Sequence, residues 1–253
     1  MGAIIAFANQ KGGVGKTTSA INIAAALGKR GKKTLLIDLD PQGNATSGCG
    51  VTKKGLSATV YDVIIGRAEA KEAIVKTEFT NLWLMPSNVS LAGADSELGE
   101  IENAETCLKK ALEPIKNDYR YIIIDCPPSL SRLTVNALTA AAGVVIPMPC
   151  EYYALEGLSQ LALSVRRVRE LYNPTLEITG ILLTMFQGRL ILSNQVVAEL
   201  KKYYDDKLFK TTISRTVKLA EAPGFGQPIG YYEPRGKSAK EYDAVAKELT
   251  LRL

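Results

Sequence analysis

Histidine is absent from the 253 residues. That removes imidazole general bases, Ser–His pairs and imidazole metal ligands. Any hydrolysis must rest on phosphate positioning, a metal ion and carboxylates. Cysteine is sparse: Cys49, Cys107, Cys126 and Cys150 stand far apart, without the close pairs of a zinc or redox motif. That pattern is expected of reduced thiols in a cytosolic protein. No apolar run approaches the ~18 residues of a membrane helix. The start lacks the basic and apolar regions of a secretion signal. Internal repeats, low-complexity tracts and Pro/Ser-rich linkers are also missing, so residues 1–253 are expected to form one domain.

The formal net charge is +5, and its placement is uneven. Residues 1–185 carry 19 basic and 18 acidic side chains, whereas residues 186–253 carry 12 and 8. A mild, localised positive excess suits a polyanion such as DNA. Strand-like apolar runs alternate with helical patterns along the chain. Strands are expected at Ala3–Asn9, Thr34–Asp38, Asn81–Pro86, Tyr121–Asp125, Val144–Pro149 and Ile178–Met185. Helices are expected at Lys16–Arg30, Leu91–Leu98, Ala104–Lys116, Leu133–Ala142, Leu155–Tyr172, Asn194–Tyr204 and Lys240–Leu251. The alternation implies an α/β fold with a mostly parallel twisted sheet and helices on both faces.

Three segments carry chemistry. In the first, a strand feeds Gln10-Lys11-Gly12-Gly13-Val14-Gly15-Lys16-Thr17-Thr18 and then a helix. Glycines let successive backbone N–H groups turn toward phosphate oxygens, and the helix start adds partial positive charge. Lys16 is placed for the β/γ-phosphates and the Thr17 hydroxyl for Mg²⁺, the arrangement of a P-loop. In the second, the apolar run Leu35–Ile37 ends in Asp38-Leu39-Asp40 and a Pro/Gly/Asn loop. In open α/β sheets ligands bind beyond the carboxyl ends of strands, which aims both aspartates at the phosphates and metal. The third is Tyr121-Ile122-Ile123-Ile124-Asp125-Cys126-Pro127-Pro128-Ser129, another buried strand ending in a carboxylate. Cys126 reads as a small buried residue beside that aspartate rather than a redox centre.

The first loop departs from the general P-loop: Gln10 stands where a glycine is usual, and Lys11 adds a second lysine. The run Lys-Gly-Gly-x-Gly-Lys-Thr-Thr resembles the deviant Walker A motif of the ParA/MinD ATPases. The segment at Asp38–Thr46 is similar to that family's switch I, and Tyr121–Asp125 with Pro127–Ser129 to its Walker B and switch II. Cys150-Glu151-Tyr152-Tyr153-Ala154-Leu155-Glu156-Gly157-Leu158 and Glu221-Ala222-Pro223 extend the likeness over nearly the whole chain. Within the family, the ParA/Soj chromosome-partitioning branch matches best.

The resemblance implies an ATP hydrolase of P-loop NTPase-like fold using ATP, ADP and Mg²⁺. Lys11, Gly12, Gly13, Val14, Gly15, Lys16, Thr17 and Thr18 would hold the nucleotide, with Lys11 reaching a partner subunit's phosphates as the signature lysine. Thr17, Asp40 and Asp125 would serve the metal, and Asp40 would help position the attacking water. The family forms an ATP-dependent homodimer that binds double-stranded DNA without sequence preference and answers to a ParB/Spo0J-like partner. Arg189 sits at a position similar to a DNA-contacting arginine, and Lys218 where relatives often carry arginine. Lys201, Lys202 and Arg215 are further phosphate candidates; Arg215 has a second reading, against the nucleotide base. Larger relatives carry an N-terminal helix-turn-helix domain, and this chain opens on the nucleotide strand without one. The expected setting is the cytoplasm, on the nucleoid, with no membrane partner.

A MinD-like membrane-associated positioning ATPase is the alternative. It needs a C-terminal amphipathic anchor, and the mixed charges of Lys240–Leu253 suit a docked helix better. An electron-transfer ATPase like the nitrogenase iron protein would need a cysteine where Arg132 stands. A small-molecule ligase such as dethiobiotin synthetase normally lacks the counterpart of Lys11.

Overall fold

The computed structural model describes residues 2–253. The chain runs β1 (Ala3–Phe7), α1 (Lys16–Lys29), β2 (Thr34–Asp38), α2 (Asn44–Gly48), α3 (Val60–Ile64), β3 (Val75–Lys76) and β4 (Leu82–Met85). It continues with α4 (Ala94–Leu98), α5 (Cys107–Leu112), β5 (Tyr121–Asp125), α6 (Arg132–Ala140), β6 (Gly143–Pro149), α7 (Tyr152–Leu171) and β7 (Glu177–Thr184). It closes with α8 (Ile191–Tyr204), α9 (Val217–Glu221), α10 (Ile229–Tyr232) and α11 (Lys237–Arg252). Short 3₁₀ turns precede α4 and α5 and follow α9.

The strands form one seven-stranded sheet in the order β3-β4-β2-β5-β1-β6-β7. All neighbours are parallel except β3 against β4. The central strands are apolar throughout because both faces are covered. On β1, Ile5 and Phe7 face one core while Ala6 and Ala8 face the other; on β5, Tyr121 and Ile123 oppose Ile122 and Ile124 in the same way. The first core packs α1 and α11 through Ile23, Leu27, Tyr242, Val245 and Leu249. The second packs α3 to α8 through Val63, Leu112, Leu138, Leu161 and Leu200. Full burial of each large side chain contributes about 1.5–3 kcal/mol.

The end of α11 is pinned. Arg252 donates to the carbonyls of Thr179, Asp206, Lys207 and Leu208, pairs with Glu248 at 2.8 Å and lies 4.4 Å over the Phe209 ring. A second long-range tie joins two glycines. Gly50 and Gly226 both have left-handed backbones (φ 72° and 64°), and their main chains touch so closely that a Cβ on Gly226 would lie 2.7 Å from the Cα of Gly50. Gly50 follows α2 and Gly226 ends the turn after α9.

The six expected strands fall on β1, β2 and β4 to β7. Differences lie at the edges. β1 ends at Phe7, two residues early, because Asn9 turns to cap the following loop and donates to the Pro147 carbonyl at 2.8 Å. The helix expected at Ala104–Lys116 is a 3₁₀ turn followed by the six-residue α5, and the one at Leu91–Leu98 is likewise part 3₁₀. α7, α8 and α11 each start three residues before the expected points.

Candidate functional site

β1, β5 and β2 end side by side, with Phe7 in register with Asp125 and Asp125 with Asp38. The loop after β1 crosses above these ends and enters α1. Gly15, the residue before α1, takes φ 84°, which aims the first N–H groups of α1 into the loop's concavity. The loop is anchored from both sides. The Lys11 N–H donates to Asn9 Oδ1 at 3.0 Å, and the Thr184 hydroxyl at the end of β7 donates to the Val14 carbonyl at 2.8 Å.

Lys16 is buried, and its ammonium donates to the Lys11 carbonyl at 3.2 Å across the loop. Burial lowers its pKa, and the nearby Asp125 and Asp40 charges oppose that fall. Beneath it Asp125 is fully buried, and neither carboxylate oxygen has a hydrogen-bond partner. The Thr17 hydroxyl lies next to that carboxylate without closing a hydrogen bond of normal geometry. Desolvation first, then the Asp38 charge, push the Asp125 carboxyl well above its ordinary range. Asp38 is also fully buried but well supplied. It accepts from the Thr46 N–H and hydroxyl, both at 2.7 Å, and from the Asp40 N–H at 3.3 Å. Burial still raises it to about 6. Asp40 turns to the Gln42 N–H at 2.9 Å, and the Ser87 hydroxyl holds its carbonyl at 2.8 Å.

Two buried carboxylates side by side, one of them without a hydrogen-bond partner and faced by Lys16 alone among cations near it, make a pocket that a small divalent cation fits. Among the described residues no three acidic or cysteine side chains are arranged to hold a metal by themselves. Mg²⁺ is usually held by one or two protein oxygens, with water and phosphate completing the octahedron. The donor set here, Thr17 with Asp125 and Asp40 nearby, fits that habit.

The sequence-expected residues divide by location. Lys16, Asp38, Asp40 and Asp125 lie close together at the strand ends, where the loop Gly12–Thr18 follows β1. Arg215 is exposed and lines a hollow of about 240 Å³ beside the loop, with Gly15, Thr18, Met185, Ser214 and Tyr242. Lys11 points elsewhere: its exposed ammonium forms an ion pair with Glu151, the residue before α7. Arg189 is exposed in the connection from β7 to α8. That connection and the segment carrying Arg215 leave from adjacent points, because the Phe186 N–H donates to the Ile213 carbonyl at 2.9 Å. Lys218 is engaged with Glu221 at 3.0 Å and sits 5.8 Å from the Tyr232 ring, and Lys202 pairs with Glu199 at 2.6 Å. Lys201 is exposed on α8. The Tyr153 side chain lies outside the described residues.

Sequence reading passed over the supports. Glu151 meets Lys11 from 140 positions away, and Tyr242 of α11 meets Ser19 of α1 at 3.3 Å, both buried. Thr46, Glu151 and Tyr242 lie inside segments that stand out in the sequence, but nothing local marks their partners.

A phosphate loop on the first strand, a buried aspartate beneath it and a parallel sheet around both define a P-loop nucleotide-binding protein. The family model for an AAA domain matches residues 2–178. The Bacillus subtilis sporulation initiation inhibitor protein Soj is 53% identical over 249 residues, covering 98% of each chain. The Treponema pallidum chromosome-partitioning ATPase Soj is 48% identical, covering 100% of this chain and 98% of its own. Among solved structures, the Mycobacterium smegmatis cobyrinic acid a,c-diamide synthase with bound ADP and magnesium superposes with a TM-score of 0.87 at 36% identity, covering 99% of this chain and 94% of its own. The chain belongs to the ParA/Soj family of chromosome-partitioning ATPases.

Proposed function

We propose that residues 1–253 work as one Mg²⁺-dependent ATPase domain, an ATP-driven dimer switch that binds DNA without sequence preference. In this reading it partitions chromosome or plasmid DNA with a ParB/Spo0J-like partner, on the nucleoid in the cytoplasm. The reading rests above all on Asp125: a buried carboxylate without a partner, beneath a glycine-rich loop and beside Thr17 and Lys16. Family membership and the ADP and magnesium bound by the similar solved structure agree with it.

Phosphoryl transfer to water needs mainly position and charge. The loop N–H groups from Gly12 to Thr18 and the Lys16 ammonium receive the β/γ-phosphates. The base enters the hollow beside Arg215, against Met185 and Ser214. Thr17, Asp125 and Asp40 would hold Mg²⁺, which would supply neutralisation of the charge that develops on the phosphates. Asp40 orients the attacking water. Lys11 leaves Glu151 and reaches the phosphates of a second subunit. Arg189 and Lys218 contact DNA phosphates, Lys218 after parting from Glu221.

The MinD-like reading requires a free C-terminal amphipathic helix, whereas α11 buries Tyr242, Val245, Ala246 and Leu249 and is clamped at Arg252. The test is co-sedimentation with duplexes of unrelated sequence, and with anionic vesicles, in ATP, in ADP and without nucleotide. Sedimentation with DNA in ATP alone is expected. Sedimentation with vesicles instead, or with neither, as a synthase reading requires, overturns the proposal.

A further inference from the structure

Thr184 ends β7, the edge strand, yet its side chain reaches the phosphate loop 170 positions away in sequence. Thr184 is buried, and its hydroxyl donates to the Val14 carbonyl at 2.8 Å. That carbonyl has no other donor among the described residues. It shares one peptide unit with the Gly15 N–H, and in a planar trans peptide the two groups point in opposite directions. A carbonyl held toward β7 therefore turns the Gly15 N–H away from β7, into the concavity of the loop. The Gly15 N–H has no acceptor among the described residues, so it stands ready for a ligand oxygen.

Without that bond the peptide could turn over. Gly15 has φ 84°, and glycine occupies both halves of the φ range at little cost, so the loop backbone alone does not select one orientation. The selection comes from Thr184, which is a fixed post. An added Cβ on Gly15 would lie 3.5 Å from the Thr184 methyl, so the side chain already rests against the loop. Met185, the next residue, takes a left-handed backbone (φ 50°) that few non-glycine residues adopt. Ile213 brackets the pair: its N–H donates to the Leu183 carbonyl at 2.8 Å, and its carbonyl accepts from the Phe186 N–H at 2.9 Å. Ser214 then ties this segment to Glu241 of α11, through its N–H at 3.0 Å and its hydroxyl at 2.7 Å.

We propose that Thr184 is a positioning residue for phosphate binding. Acting through the Val14 carbonyl, its hydroxyl keeps the Gly15 N–H turned toward the phosphate oxygens. The proposal rests on the nucleotide reading given above and adds a residue from the far edge of the sheet to it. A serine at this position keeps the donor. A valine keeps the branched shape but leaves the carbonyl unpaired.

The test uses the full chain with isotope-labelled glycine, first without nucleotide. Thr184→Val should split or broaden the Gly15 amide signal, because the peptide then samples both orientations; Thr184→Ser should leave it single. Affinity for a fluorescent ADP analogue should fall about tenfold in Thr184→Val, the loss expected when about one molecule in ten keeps the receiving orientation. Thr184→Ser should bind it like wild type. Thr34→Val removes a comparable hydroxyl bond, to the Lys32 carbonyl at 2.8 Å, at the opposite end of the sheet. It should lower Tm without changing either readout. A wild-type Gly15 signal or wild-type ADP affinity in Thr184→Val overturns the proposal, as does equal loss in Thr184→Ser or Thr34→Val. A wild-type chain that does not bind ADP overturns the nucleotide reading itself, and this proposal with it.

Discussion

Replacing Asp125 by asparagine should make the ligand-free chain more stable. The Asp38 carboxyl, with three hydrogen bonds, is still raised from 3.8 to about 6. At about 1.4 kcal/mol per pH unit, that shift costs the fold about 3 kcal/mol once the group is ionised. Asp125 is equally buried, has Asp38 as its neighbour and closes no hydrogen bond of normal geometry, so its ionisation also costs the fold, with Thr17 and Lys16 offsetting part. An asparagine there still buries an unpartnered amide, at about 1–3 kcal/mol, and gives up the attraction to Lys16. With the Asp38 cost as the guide, the net gain is up to about 2 kcal/mol, a rise in Tm of up to about 8 °C for a chain of this size. The sign with pH follows from the direction of the shift. Folding raises the Asp125 pKa, so the folded chain holds the proton more tightly than the unfolded one. The cost is absent below the ordinary value of 3.8 and grows as pH rises toward the folded value. The advantage of Asp125→Asn should therefore be large at pH 7.5 and vanish near pH 4. Thermal unfolding in EDTA across that range measures it. With Mg²⁺ and ATP the order should reverse, because only the wild type gains full ligand stabilisation. A variant less stable than wild type at pH 7.5 in EDTA would refute the reasoning.

Lys11→Ala breaks an exposed ion pair worth about 0–1 kcal/mol, so Tm should hardly move, while ATP-dependent dimerisation and turnover fall. Normal turnover in that variant removes Lys11 from the trans role. Asp40→Ala should slow hydrolysis more than nucleotide binding and trap an ATP dimer, visible by size-exclusion chromatography; a variant that stays monomeric in ATP speaks against it. At Gly12 nothing lies within 4 Å of an added Cβ, so Gly12→Val should fold and bind nucleotide but fail to dimerise. Loss of nucleotide binding itself would make the effect local. Arg189→Glu should remove most ATP-dependent DNA binding without touching dimerisation. The salt slope should fall by about 0.9 per lost contact; affinity insensitive to salt would place DNA elsewhere.

The sheet was legible wherever burial on both faces wrote itself as a continuous apolar run, as at Leu35–Ile37 and Tyr121–Ile124. β3 was not, because two residues on an antiparallel edge carry no period. The same holds for α2, α3, α9 and α10, at four or five residues each, held by tertiary contacts rather than by a helical pattern. In the cleft, the loop and the strand-end aspartates could be read because each is local. Their adjacency could not: Asp38 meets Asp125 through the strand order, and nothing near Asp38 announces that partner. The hold of Glu151 on Lys11 was hidden for the same reason. A linear reading also treats every lysine as available, whereas Lys218 and Lys202 are already paired within a turn of their own helices.

The meeting of Gly50 and Gly226 bears on how this sequence can drift. They stand 176 positions apart, both with left-handed backbones, and a side chain on either would strike the main chain of the other. The usual bargain between contacting residues, one growing while the other shrinks, is closed to them, because neither has anything left to give up. Each position is frozen alone rather than jointly. Variation around them can proceed only if the turn after α9 slides as a unit over α2, carrying its neighbours with it. Among descendants of this chain, an alanine at one of these positions should therefore come with an inserted or deleted residue in that turn, not with a matching change at the other glycine.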